Sequence, residues 1–215
     1  MPASTPDALL FITPTCPHCP AVLRGLSELV KQAAIGKLTV INVVAHPEIA
    51  EEYGVRAAPW LRLGPFTLTG AHSPAELRQW VEWSKSEEGV AQYVEHLLIS
   101  GGYKDARAFI AEDTQRLRPL LAIVANPEKP IEVRVGVDAL LEAYSNTSPL
   151  QNLLPQLAEL TRHTDHRVRA DACNLLGLSG SAAARPVVEA CLNDSSDEVR
   201  EIAAESLQLL DSQKN

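Results

Sequence analysis

Three Val-Arg pairs, Val133-Arg134, Val168-Arg169 and Val199-Arg200, recur along the second half of this chain. Each opens a run of small and then apolar residues that closes at Leu140-Leu141, at Leu175-Leu176 and at Leu207. The arginines lie 35 and 31 residues apart, and each has a proline 14 or 15 residues upstream, at Pro119, Pro155 and Pro186. Two landmarks sharing one period mark an internal repeat built of helix pairs. Such a pair cannot bury its apolar face alone, so neighbouring pairs must stack into a curved array, an all-α solenoid. Each proline is expected in the middle of one apolar helix of its pair. The repeated Arg134, Arg169 and Arg200 read as a structural ladder with acids such as Asp165 and Asp197, because stacking requires the same residue in every unit.

The first 85 residues follow a different pattern. Ala8 to Ile12 reads as a buried strand, and Ala21 to Ala34 as a helix with Leu23, Leu26, Leu29 and Val30 on one face. Lys37 to Ala45, rich in β-branched residues, predicts a second buried strand, followed by a short helix over Pro47 to Tyr53. A hairpin over Trp60 to Leu63 and Phe66 to Thr69, turned at Gly64-Pro65, precedes a last helix over Pro74 to Ser84. The order is βαβαββα, and the right-handed crossover makes the first two strands parallel neighbours. This pattern stops at Ser84 to Gly89, which places an α/β domain at residues 1–86 and the helical array at 87–215.

Charge follows the same division. The first 85 residues balance seven acids with seven bases, while the remainder carries 20 acids against 12 bases, the whole of the formal charge of −8. An acidic array argues against nucleic acid as a partner. No stretch approaches the roughly 20 apolar residues that span a bilayer, so no membrane partner is expected. With Met1 taken as the natural start, the absence of a basic and then apolar leader makes the chain read as cytoplasmic. Four cysteines in that compartment are not a disulfide framework. Cys173 and Cys191, in helical patterns without a neighbouring cysteine, read as buried structural thiols. His163 and His166 flank a turn and read as solvated turn residues in preference to metal ligands.

Cys16-Pro17-His18-Cys19 sits between the first strand and the first helix. A thiol at a helix N-terminus meets unpaired backbone N–H groups and the positive end of the dipole, which favour the thiolate that does redox chemistry. A second thiol three residues on can close a disulfide. Phe11 to Pro20, then Tyr53-Gly54-Val55-Arg56-Ala57-Ala58-Pro59, then Gly70 to Leu77 together resemble the thioredoxin superfamily over residues 7 to 84. The likeness is closest to the compact glutaredoxin-like modules of archaeal disulfide oxidoreductases and of the alkyl hydroperoxide reductase flavoprotein. Asp165 to Ala170, through Leu176-Gly177 to Arg185-Pro186-Val187-Val188, resembles the short bacterial form of HEAT repeats, over about residues 103 to 211.

The first resemblance implies a thiol-disulfide oxidoreductase acting on protein disulfides, with Cys16 as the attacking thiol and Cys19 as the resolving one. It implies that Pro59 is a cis-proline facing the disulfide, leaving the backbone of Ala58 free to pair with an extended substrate segment. Pro17 and His18 would tune the pair, His18 by a hydrogen bond or positive charge beside the Cys16 thiolate. No cofactor and no metal are implied. The repeats imply a surface for a protein partner, alongside the dithiol or disulfide client of the first domain. A non-catalytic, redox-responsive scaffold is the alternative. Two of the departures from thioredoxin itself bear on the site. Leu10 stands where thioredoxin has a buried aspartate six residues before its first cysteine, so proton transfer to Cys19 needs water or His18 instead. Trp60, directly after Pro59, reads as a strand core residue.

Overall fold

A computed structural model describes residues 5–212, which form two compact units dividing between Val90 and Ala91. In the first, β1 (Ala8–Ile12), α1 (Cys19–Lys31), β2 (Leu38–Asn42), α2 (Pro47–Glu52), β3 (Trp60–Leu63), β4 (Phe66–Thr69) and α3 (Pro74–Trp83) follow in chain order. The expected βαβαββα order is present. The sheet runs β2-β1-β3-β4, with β1 and β2 parallel and the β1/β3 and β3/β4 pairs antiparallel.

Register divides the side chains between two faces. Leu10 stands opposite Leu61 and Phe11 opposite Trp60, so successive residues point to opposite sides. Phe11 and Trp60 pack with Tyr53 from the end of α2, at ring separations of 5.3 to 6.0 Å. The Arg62 guanidinium lies over Tyr53 at 5.3 Å. Trp60 is therefore core. On the other side α1 and α3 pack closely, and a Cβ added at Gly25 would come within 2.7 Å of a Leu77 methyl. Ser73 caps α3 reciprocally with Glu76: the Glu76 N–H donates to the Ser73 hydroxyl at 3.2 Å, and the Ser73 N–H donates to the Glu76 carboxylate at 2.7 Å.

Two boundaries differ from the sequence reading. Helix α1 stops at Lys31 because Ala33 adopts a left-handed conformation, φ 56°. The N–H groups of Ala33 and Ala34 then donate to Val30 and Leu29 at 2.9 Å, closing the helix with an alanine where glycine is usual. Strand β2 ends at Asn42, whose side-chain oxygen accepts from the Val44 N–H at 2.9 Å and turns the chain. As the sheet edge, β2 is only half-buried, and Val44 is exposed.

The chain enters the second unit within α4 (Glu87–Ile99) and continues through α5 (Tyr103–Glu112), a 3₁₀ turn at Thr114–Leu120, α6 (Leu121–Val124) and α7 (Ile131–Glu142). Then come α8 (Ser148–Gln151), α9 (Leu154–Leu160), α10 (His166–Leu178), a 3₁₀ turn at Ala182–Ala184, α11 (Arg185–Cys191) and α12 (Asp197–Ser212). Pro119 lies inside a helical stretch, the 3₁₀ helix Thr114–Leu120 that runs directly into α6, whereas Pro155 and Pro186 do not sit in mid-helix and each fall in the first turn of a short helix. A proline lacks the N–H and crowds the carbonyl four residues back, so the helix restarts there.

Val133, Val168 and Val199 are fully buried, as the repeat requires. The arginine ladder exists with a different set of acids. Arg134 donates to Asp171 at 2.7 Å, and Arg169 holds Asp194 through two bonds of 2.7 Å, each link reaching into the next repeat. Asp165 instead caps α10 and pairs with Arg167, while Arg200 pairs with Asp197 as expected. In the third repeat Ser206 takes the place of a leucine, and its small side chain lets α12 approach Gly177 of α10. His163 accepts from the Asp165 N–H at 3.1 Å, and His166 lies 3.2 Å from Glu198.

Candidate functional site

Cys16 and Cys19 are joined as a disulfide, with their Cα atoms 5.5 Å apart. The turn that delivers them begins where β1 ends: the Cys16 N–H donates to the Thr13 carbonyl at 3.3 Å. Helix α1 starts at Cys19, two residues earlier than its apolar period indicates, with Pro20 in its first turn and His18 as the residue before it. Prolines are compatible with a first turn because the N–H groups there have no partner within the helix. Cys16 accordingly lies just outside the helix, and the N–H of Cys19 points back at its sulfur over 3.1 Å. This free helical donor and the helix dipole are the stabilising elements for a Cys16 thiolate.

Exposure distinguishes the two sulfurs. Cys19 is buried, at 4% exposure, on the face of α1 that carries Val22, Leu26 and Leu29. Cys16 is half-buried, and Pro17 and His18 are exposed beside it. The His18 side chain makes no capping hydrogen bond. Its backbone carbonyl accepts from the N–H groups of Ala21 and Val22 at 3.2 and 3.3 Å.

Opposite Cys16 stands the segment that enters β3. The Ala58-Pro59 peptide is cis, and the Ala58 carbonyl oxygen lies 3.5 Å from the Cys16 sulfur, where a reduced thiol can donate to it. Pro59 is buried and its own carbonyl accepts from the Gly70 N–H at 3.0 Å, so the loop after β4 is tied to it. Thus the structure brings Cys16, Cys19, Ala58 and Pro59 together, with Pro17 and His18 on the rim. Leu10, in the central strand, is fully buried and carries no proton donor to this region.

One residue escaped the sequence reading. In the loop tied to Pro59, the ring nitrogen Nε2 of His72 is buried without a partner among the described residues. Burial moves its pKa below the ordinary imidazole value. Nothing in the spacing around Gly70 signals it. Among the described residues no helix is long and apolar enough to cross a membrane, and no three His, Cys, Asp or Glu side chains form a cluster suited to a metal ion.

Comparison with known proteins gives the two parts of the chain separate affinities. Residues 9–82 match the thioredoxin domain family, and residues 117–208 match HEAT repeats. A thioredoxin of Methanocaldococcus jannaschii is 41% identical over 51 residues, which are 23% of this chain and 60% of that protein. A probable thioredoxin of Archaeoglobus fulgidus is 28% identical over 81 residues, 37% of this chain and 89% of its own length. The chain thus spans 60% of the length of the first of these relatives. Its N-terminal unit has the thioredoxin-like fold with a Cys-x-x-Cys pair, and a HEAT-repeat region follows.

Proposed function

Starting from a thioredoxin domain followed by HEAT repeats, we propose that the chain is a thiol-disulfide oxidoreductase acting on protein disulfides through Cys16 and Cys19. The observation that carries this reading is the Cys19 N–H held 3.1 Å from the Cys16 sulfur. The Cys16 thiolate attacks one sulfur of the client disulfide, that bond breaks, and the departing client thiolate takes a proton. A mixed disulfide remains on Cys16. Cys19, as a thiolate, then attacks the Cys16 sulfur, closing Cys16-Cys19 and releasing the second client thiol. Two electrons have passed from the protein to the client. The reverse sequence oxidises a client dithiol.

Each supporting residue has a place in that sequence. Cys16 is the accessible sulfur and Cys19 the buried one, which suits attack followed by resolution. Ala58 offers its backbone to an extended client segment next to Pro59, and Pro17 and His18 modulate the thiolate from the rim. Domain 1–86 holds the chemistry and domain 87–215 recognises a protein partner. Ile131 and Val135, one turn apart on α7, are both exposed and offer an apolar contact. The cytoplasm is the compartment we assign, on the strength of the free thiols Cys173 and Cys191.

The test is reduction of a protein disulfide with an external dithiol as electron source. Cys16→Ser abolishes turnover, and Cys19→Ser accumulates the mixed disulfide on Cys16. Undiminished turnover by Cys16→Ser overturns the proposal and leaves the scaffold reading.

A further inference from the structure

Helices α1 and α3 pack together on one face of the sheet, and a groove of about 310 Å³ runs between them. Its α1 wall is made of Ala21, Arg24, Gly25, Glu28 and Leu29, with Gln32 just past the helix end, and its α3 wall of Pro74 and Arg78. The α1 residues recur at intervals of three and four, so they form one stripe of the helix. From Ala21 to Leu29 that stripe covers about 12 Å, or two turns. Ala21, Leu29 and Pro74 make the floor apolar. Gly25 contributes bare backbone to it, since a Cβ there would meet a Leu77 methyl at 2.7 Å.

Two cations border this floor with no carboxylate of their own. Arg24 and Arg78 are exposed and make no ion pair among the described residues. Glu28, the acid of the groove, is held by Lys31 at 2.8 Å. Arg24 precedes Glu28 by four positions, which is the weaker orientation for a pair on a helix. On α3, Glu76 is committed to the Ser73 cap and Glu82 to Lys85 at 3.0 Å. The groove therefore offers solvent two positive charges over an apolar floor. A phosphate backbone asks for cations and polar donors along its whole length, which this floor lacks. An amphipathic helix is the better complement, because it lays an apolar stripe into a groove between two helices and keeps its charged flanks at the rim.

We propose that the α1/α3 groove docks an acidic amphipathic helix of the client protein, an assignment that rests on the oxidoreductase reading above. Apolar side chains of the client helix occupy the floor between Ala21 and Leu29, and its flanking carboxylates engage Arg24 and Arg78. Ala21 is two residues beyond Cys19, so the groove begins at the end of α1 that carries the dithiol. A helix seated there keeps the client on the domain while its disulfide is exchanged at Cys16. Two turns of contact make a small interface, so docking is weak and the product is released. Clients are thus selected by charge and helical pattern at a place separate from the disulfide itself.

The experiment uses the full chain with Cys16→Ser and Cys19→Ser, so that binding is read without exchange. The probe is a fluorescein-labelled helical peptide of roughly 16 residues, with one leucine stripe flanked by glutamates. A lysine-flanked counterpart and a scrambled peptide of the same composition accompany it, all followed by fluorescence anisotropy. The glutamate peptide is expected to bind, and Arg24→Glu with Arg78→Glu to weaken it at least about fourfold. Equal binding by the lysine or scrambled peptide, or no effect of the reversal, overturns the proposal. Self-association of the chain that the reversal abolishes gives the groove to a second copy and overturns it too. With both cysteines restored, the reversal is expected to leave turnover of a small aromatic disulfide unchanged and to raise KM for a disulfide carried by the glutamate peptide. An unchanged KM counts against the docking site, whereas absent turnover of the small disulfide refutes the oxidoreductase reading, a failure that the anisotropy cannot produce.

Discussion

His18→Ala measures how far a side chain between the two cysteines can set the redox poise. The His18 side chain is exposed and makes no capping hydrogen bond, so it reaches the Cys16 sulfur only as a charge through solvent. An exposed pair of opposite charges contributes about 0.2 to 1 kcal/mol. For a two-electron couple about 30 mV corresponds to 1.4 kcal/mol, so the reduction potential shifts by roughly 4 to 20 mV. At a pH where imidazole is protonated the sign is fixed: positive charge stabilises the thiolate of the reduced form, so its removal lowers the potential and makes the dithiol more reducing. Equilibration with glutathione of known redox ratio, read by the fraction of Cys16-Cys19 disulfide, gives the potential directly. The shift is expected to shrink in about 1 M salt, where charges are screened within roughly 3 Å. A rise in potential, or a fall beyond about 60 mV, refutes the reasoning, because only direct contact with the sulfur produces so large an effect.

Three further outcomes concern the helical unit, each read by urea unfolding followed by far-UV circular dichroism. Arg169→Ala strips two donors from Asp194, where both side chains are only 13% exposed, and leaves two carbonyls without their partner; a loss of about 2 to 4 kcal/mol is expected, and a loss below about 1 kcal/mol contradicts the ladder as a stabilising feature. Gly177→Ala places a Cβ 2.6 Å from the Ser206 Cβ and 2.9 Å from its Cα, so overpacking is expected to exceed the helix-propensity gain and cost about 1 to 2 kcal/mol net. A neutral or stabilising Gly177→Ala refutes that close approach. Burial and the neighbouring Asp171 carboxylate push Asp138 up to about 6. The folded state therefore holds the Asp138 proton more tightly than the unfolded chain, and stability falls as pH rises from about 4 through about 6. Asp138→Asn is expected to flatten that fall and to gain on the wild type at pH 7; an unchanged pH slope counts against it.

Much of the fold is legible in the sequence because its signals are local or periodic. Alternating and contiguous apolar runs mark all four strands, and the hairpin over β3 and β4 was readable to its turn at Gly64-Pro65. The Val-Arg period locates the repeats because every unit must present the same face to its neighbour. Elements ended where a local competitor won: the left-handed Ala33 stops α1, and the Asn42 side chain stops β2. Neither is a glycine or proline, so neither announces itself.

The sequence by itself determined that this chain has a Cys-x-x-Cys turn between a strand and a helix, with Pro59 entering a later strand, and a repeat of helix pairs behind it. Only the tertiary structure decided what those residues meet. It set the Ala58 carbonyl 3.5 Å from Cys16, left Nε2 of His72 buried without a partner among the described residues, and gave Arg134 and Arg169 acids in the following repeat. The reason is physical: spacing along a chain encodes which face a side chain occupies on its own element, whereas its partners across elements depend on how helices stack and strands register.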